Sequence, residues 1–196
     1  MDPKPPKSSP SAVPPSPPPA GSRSWFATHG RDLRFLVIFA LLMGVYYLLT
    51  TTNTMKTQFF PWYLRFNATL AAGTLSTFGY DGVEAKGTAL TSKHGSISVE
   101  RGCDAVEPTA LFAAAVLASP MAFATKLPAV LAGALILAVV NVLRIISLFL
   151  SAAHWKEAFD ILHLDVWQAV FIFLALLLWL VWVSWAVKRQ KRLARV

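Results

Sequence analysis

The sequence predicts an all-α integral membrane protein with about four transmembrane helices, an amphipathic interfacial helix and a small extracytoplasmic β-hairpin. Three observations lead there. Of 196 residues 55% are hydrophobic, and the mean hydropathy of +0.52 is higher than a soluble domain of this length reads. Much of that apolar content lies in long uninterrupted runs, so the bilayer is the expected solvent and partner. The formal net charge of +8 reads as cytoplasmic anchoring. No aromatic–basic alternation supports nucleic-acid binding, so nucleic acid is not an expected partner.

Residues 1–24 are rich in Pro and Ser and are expected to be a disordered cytoplasmic tail, not a signal peptide. A membrane-embedded domain is expected over 25–187 and a basic cytoplasmic tail over 188–196. The first span is placed at 35–49, after Arg31 and Arg34 and before a polar Thr–Thr–Thr–Asn run, which puts the N-terminus inside and Thr50 outside. Residues 59–78 contain Pro61, Arg65 and Asn67, with Phe59, Tyr63, Phe66 and Leu70 at helical spacing. They read as an amphipathic helix at the outer interface, a full span being the competing reading. Gly79, Gly82, Gly87 and Gly95 punctuate short alternating stretches up to Arg101, which predicts the hairpin.

The second span is expected at 105–125, an inner turn at Lys126, and the third span at 127–150. Residues 151–165 form a polar outer loop carrying His154, Lys156, Glu157, Asp160 and His163. The fourth span, 166–187, carries Trp167 near one end and Trp179, Trp182 and Trp185 near the other, as interfacial belts do. Four spans with both ends inside satisfy the charge rule.

This topology brings three distant residues to one depth on one side: Cys103 before the second span, Arg144 near the outer end of the third, and His163 before the fourth. An intramembrane Arg costs roughly 2.5–3.5 kcal/mol on insertion scales and marks a functional site unless it snorkels to the interface. Asn141 stands three residues earlier on the same helix face and is placed in the same polar pocket. Cys103 is the one cysteine, so an intramolecular disulfide is impossible and a Cys-based zinc cluster is not expected. It is either a packed small hydrophobe or a reactive thiol. Read as opening a helix after Gly102, it gains thiolate character from the free N–H groups and from Arg144, with Asp104 and Glu107 opposing. His163 is either an ordinary interfacial histidine or one oriented by Asp160, three residues before it. A metal site of His154, His163, Asp160 and Asp165 matches no strong zinc spacing, so no metal and no cofactor are expected.

At these residues the chain resembles the exosortase/archaeosortase family of membrane transpeptidases. That family carries a Cys at the start of a transmembrane helix, an Arg in an Asn-x-x-Arg-Ile helix and a downstream His. Here these are Cys103, Asn141-Val-Leu-Arg144-Ile145 and His163. The segment Phe159-Asp-x-x-His163-x-x-x-Trp167-Gln168 further resembles the exosortase H branch. The likeness covers the chain well from Gly95 onward and loosely before it. It departs where the family usually follows Cys with a small polar residue and then Gly; here Asp104 and Ala105 follow.

The resemblance implies a multi-pass protein of the bacterial inner membrane with its site on the extracytoplasmic side. Its implied partners are exported proteins with a C-terminal sorting motif, a transmembrane helix and a basic cluster, together with an amine acceptor of unknown identity. For the exosortase H branch the implied motif resembles Ile-Pro-Thr-Leu. For such a substrate the residues here are expected to act as follows: Cys103 as nucleophile, His163 as proton acceptor and donor, and Arg144 as stabiliser of the oxyanion, with Asn141, Asp104, Glu107 and Asp160 in support. Two other classes compete: a small membrane transporter or scaffold subunit, and a hydrolase using Asp160 or Glu107 with His163.

Overall fold

The computed structural model describes residues 25–93 and 95–193; the tail expected over 1–24 and the last three residues lie outside them. In chain order the helices are α1 (Trp25–Thr51), α2 (Phe60–Thr77), α3 (Val106–Ala118), α4 (Phe123–His154), α5 (Lys156–Ile161) and α6 (Trp167–Leu193). Strands β1 (Glu84–Lys86), β2 (Ala89–Ser92) and β3 (Gly95–Ser98) lie between α2 and α3. Wide helical turns at Met55–Phe59 and Leu162–Val166 lead into α2 and α6.

Three helical stretches are long and apolar enough to cross a membrane: His29–Thr51, Phe123–His154 and Trp167–Arg192, with hydropathies of 2.0, 2.5 and 2.6. Their outward faces carry Leu41, Leu135 and Phe173, each more than 60% exposed, which suits contact with lipid. The fourth apolar pass is α3, whose 13 residues make about 20 Å against a hydrocarbon core of about 30 Å. It nevertheless reaches both ends of the bundle. Tyr47 donates its hydroxyl to Glu107 at 2.6 Å at one end. At the other, Lys126 Nζ donates to the Leu117 carbonyl at 2.7 Å, and Trp179 Nε1 to Ser119 Oγ at 3.2 Å. The molecule is thus a multi-pass membrane protein. Arg31, Arg34, Lys126 and the α6 terminus mark one end, called here the basic end; α6 stays helical through most of the expected basic tail.

The sheet caps the opposite end. It is a three-stranded antiparallel meander, one strand more than the hairpin the glycines predicted, with Leu90 facing Ala85 on one side and Ile97 on the other. Leu90 is fully buried against a core that includes Leu75, Val99, Leu148 and Phe149. This core closes the sheet onto α2 and the end of α4. A second core joins Phe112 and Val116 of α3 to Leu137 of α4 and to Phe171, Ala175 and Trp182 of α6.

Both ends of α2 stay near the sheet: Phe60 lies under Arg101, whose Cζ is 4.2 Å from the ring centroid, and Thr77 leads into the turn before β1. The apolar stripe that marks this helix in sequence faces outward, with Phe59, Phe66 and Leu70 all exposed. The buried face is instead Phe60, Leu64, Ala68, Ala71, Ala72 and Leu75. Small residues let α2 approach α4 closely, while the larger aromatics remain for the membrane interface.

Candidate active site

Cys103 lies in the turn that carries the chain from β3 to α3. Gly102 at φ +95° and Ala105 at φ +54° are both left-handed and bracket Cys103 and Asp104. The turn is closed by the Cys103 N–H donating to the Glu100 carbonyl at 3.0 Å. Helix α3 therefore opens at Val106, three residues after the thiol, and the expectation that Cys103 itself starts the helix is corrected. The first helical amide is taken by Asp104, whose Oδ1 accepts from the Val106 N–H at 3.1 Å.

The geometry also revises the expected thiolate. Cys103 is buried, and burial pushes its thiol up from the ordinary value. The Arg144 charge pulls it down, while Asp104 and Glu100, rather than Glu107, push it further up. Burial thus disfavours the thiolate, so a neighbouring base assists its formation. Burial likewise pushes the Asp104 carboxyl up, with the Val106 N–H, Arg101 and Arg144 opposing.

That base is adjacent. His163 Nε2 lies 2.8 Å from Cys103 Sγ. The wide turn at Leu162–Val166 turns the ring inward, and Phe159 stacks on it with centroids 5.6 Å apart at 29°. Asp160, expected to orient the imidazole, is exposed and makes no hydrogen bond to it among the described residues.

Arg144 connects the two. It is 4% exposed on α4. Nη1 donates to the Gly102 carbonyl at 3.0 Å and Nη2 to the His163 carbonyl at 3.4 Å. Phe171 presents its ring to the guanidinium at 5.6 Å. The Arg144 carbonyl accepts from Ser147 Oγ at 2.8 Å, and that hydroxyl oxygen accepts from Trp167 Nε1 at 2.9 Å, tying α6 to α4. No carboxylate pairs with Arg144; the only ion pair among the described residues joins Lys86 to Glu84. Its Nε is buried without a partner. A buried cation hydrogen-bonded only to carbonyls, with no carboxylate in ion-pair contact, favours any negative charge that develops beside it.

The remaining candidates divide. Asn141, expected beside Arg144, turns to α2 instead, where its Nδ2 donates to Asn67 Oδ1 at 3.1 Å. Asn67 Nδ2 in turn donates to the Tyr63 carbonyl at 2.9 Å. Glu107 faces Tyr47. His154 meets the Tyr80 hydroxyl at 2.8 Å, away from His163.

Cys103 and His163 open onto a cleft of ≈ 120 Å³ with Ile97, Glu100 and Arg101. A second cavity of ≈ 450 Å³ is lined by Arg101, Gly102, Asp104, Glu107, Arg144 and Gln168, among others. Sequence reasoning gave no role to Asn67, to the Gly102 carbonyl or to the Ser147–Trp167 link, and none to Phe159 beyond its place in the resembling segment.

The family model described as Transmembrane exosortase (Exosortase_EpsH) matches residues 21–182. No curated protein and no solved structure matches the chain.

Proposed function

Because the chain belongs to the transmembrane exosortase family, we propose that it is a membrane cysteine transpeptidase acting on exported proteins with C-terminal sorting tails. The observation that carries this reading is the Cys103 Sγ–His163 Nε2 pair at 2.8 Å, its two backbone segments joined by Arg144. A buried thiol is activated by a general base in contact, and a histidine ring nitrogen provides one.

In this reading His163 takes the thiol proton as sulfur attacks the carbonyl carbon of the scissile bond. The carbonyl electrons move onto oxygen, and the charge of Arg144 stabilises the tetrahedral anion. As the intermediate collapses, the C–N bond breaks, His163 returns the proton to the leaving amine, and the new N-terminal fragment stays on Cys103 as a thioester. Attack by an acceptor amine, or by water, on the thioester carbonyl then releases the thiol. Arg144 itself stays protonated throughout.

Retention of positive charge in the cytoplasm supports placing the basic end inside, with Cys103 on the extracytoplasmic face of the bacterial inner membrane. The carboxylate–histidine alternative loses its support, since Asp160 is exposed and Glu107 faces Tyr47.

The test is processing of a co-expressed reporter ending in Ile-Pro-Thr-Leu, an apolar helix and a basic cluster. Wild type should shorten it; Cys103→Ala and His163→Ala, inserted at normal levels, should not. Normal processing by Cys103→Ala would remove the nucleophile from the mechanism and the transpeptidase reading with it.

A further inference from the structure

Three cations from two helices converge on one cavity at the basic end. Arg31 and Arg34 stand three residues apart on one face of α1, and Lys126 sits in the first turn of α4. All three line a space of ≈ 470 Å³ walled by Phe35, Ile38 and Leu117, and no acid is among its lining residues. Asp32 lines the neighbouring cavity and not this one. Among the described residues no carboxylate is in ion-pair contact with Arg31, Arg34 or Lys126; the ion pair found there joins Lys86 to Glu84.

Retention of positive charge on one side of a membrane accounts for cations at this end, but not for their convergence. A lysine that only snorkels extends toward water. Lys126 is half-buried and folds back, its Nζ donating to the Leu117 carbonyl at 2.7 Å. That bond uses one of three N–H groups and offsets the carbonyl end of α3, which would otherwise repel an anion. On α6, by contrast, Lys188, Arg189, Lys191 and Arg192 are exposed and line neither cavity.

Polarity along the cavity follows the order of a phospholipid. The charges stand at the end of the apolar spans, and Ile38 lies about 10 Å deeper along α1 than Arg31 on the same wall. We propose that this cavity binds an anionic phospholipid of the leaflet that the basic end faces. Arg31, Arg34 and Lys126 hold its phosphate, and the start of an acyl chain lies against Phe35 and Ile38. A zwitterionic lipid offers the same phosphate but adds an ammonium group, which three cations without a carboxylate repel. Free phosphate satisfies the cations but leaves the apolar wall uncovered. The site lies at the opposite end of the bundle from Cys103, so the inference stands apart from the transpeptidase reading.

The test uses full-length protein purified in a neutral detergent, with phosphatidylglycerol, phosphatidylcholine and inorganic phosphate as probes. Native mass spectrometry reads the lipid bound per protein, and thermal melting is followed in parallel. Phosphatidylglycerol should bind more tightly than phosphatidylcholine and raise the melting temperature. Arg34→Gln and Lys126→Gln should each weaken phosphatidylglycerol binding by about fivefold, the share of one basic side chain at an anionic lipid surface, and leave phosphatidylcholine binding unchanged. Lys191→Gln and Arg192→Gln remove the same charge at the same end and should leave phosphatidylglycerol binding near the wild-type value. Cys103→Ala should bind it as wild type does.

Equal affinity for the two lipids overturns the proposal. So do equal losses in the cavity and α6 variants, which would reduce the effect to net charge. Inorganic phosphate raising the melting temperature as far as phosphatidylglycerol does would make the site one for a free anion, and overturns the lipid. If Lys126→Gln folds poorly through loss of its bond to Leu117, Arg34→Gln decides, since Arg34 is exposed on α1.

Discussion

The guanidinium of Arg144 donates to the Gly102 carbonyl at 3.0 Å, so the residue before the candidate nucleophile is held by a helix 42 positions further along the chain. The same side chain holds the His163 carbonyl at 3.4 Å. Its planar fork therefore sets the spacing between thiol and imidazole as well as supplying charge.

That double role predicts the outcome of Arg144→Lys. A lysine keeps the charge but has a single ammonium and no fork, so it cannot hold both carbonyls in this geometry. Processing should fall by about 10²–10³, the range for losing one oxyanion donor, with normal membrane insertion. Near wild-type processing by the lysine variant would show that charge alone suffices.

The electrostatics of Cys103 predict its reactivity with pH. Only the thiolate alkylates, and burial raises the thiol, so the alkylation rate should climb with pH and keep climbing above the ordinary thiol range. Asp104 raises the thiol and Arg144 lowers it. Asp104→Asn removes a negative charge, moves the midpoint down and speeds alkylation at neutral pH. Arg144→Gln moves it up and slows alkylation. Rate against pH for the three proteins checks the sign, and a faster Arg144→Gln would sink the coupling.

Backbone conformation at the turn gives a third expectation. A Cβ at Gly102 meets nothing within 4 Å, so only its φ of +95° opposes a side chain. Gly102→Ala should cost about 1–3 kcal/mol and displace the carbonyl that Arg144 holds. Processing should drop while the fold survives thermal melting in detergent. At Ala105, φ +54° occupies the place where the resembling family usually has Gly. Ala105→Gly relieves strain of about 1–2 kcal/mol but gives up a buried methyl worth about 0.8 kcal/mol and adds unfolded-state freedom. The melting temperature should hardly move, whereas Ala105→Val should lower it clearly.

The Asn67–Asn141 pair should behave as a unit. Removing either amide leaves the other buried, and Asn141 Oδ1 already lacks a partner. Each single change to Ala should cost about 1–3 kcal/mol, and the double change less than the sum. Additive losses in melting measurements would mean the amides act separately.

Helix packing gives the last. A Cβ built on Gly133 lies 2.1 Å from the buried ring of Phe112, so α3 and α4 touch only because that position has no side chain. Gly133→Val should separate them and destabilise the protein, with Phe112→Ala in the same chain restoring part of the loss. No destabilisation by Gly133→Val would show that the ring can move aside.

The apolar segments and the meeting of Cys103, Arg144 and His163 at one end were legible because each depends on local composition. A span must be apolar over the bilayer thickness, and charges cannot cross it cheaply. Apolar segments that alternate in direction then fix which segment ends share a face. The stripe on α2 was legible as a periodicity but not as a direction. Its large aromatics suit a membrane interface as well as a core, and the small-residue face that actually packs carries little hydrophobic signal.

The sequence by itself thus determined a membrane protein with a thiol, a guanidinium and an imidazole at one depth. Only the tertiary structure decided that burial pushes the thiol up, that Phe159 rather than Asp160 packs on His163, and that Asn141 belongs to Asn67. Those outcomes depend on desolvation and on contacts between segments up to 74 positions apart. Burial and partner choice are set by how whole helices pack, which no local run of residues encodes.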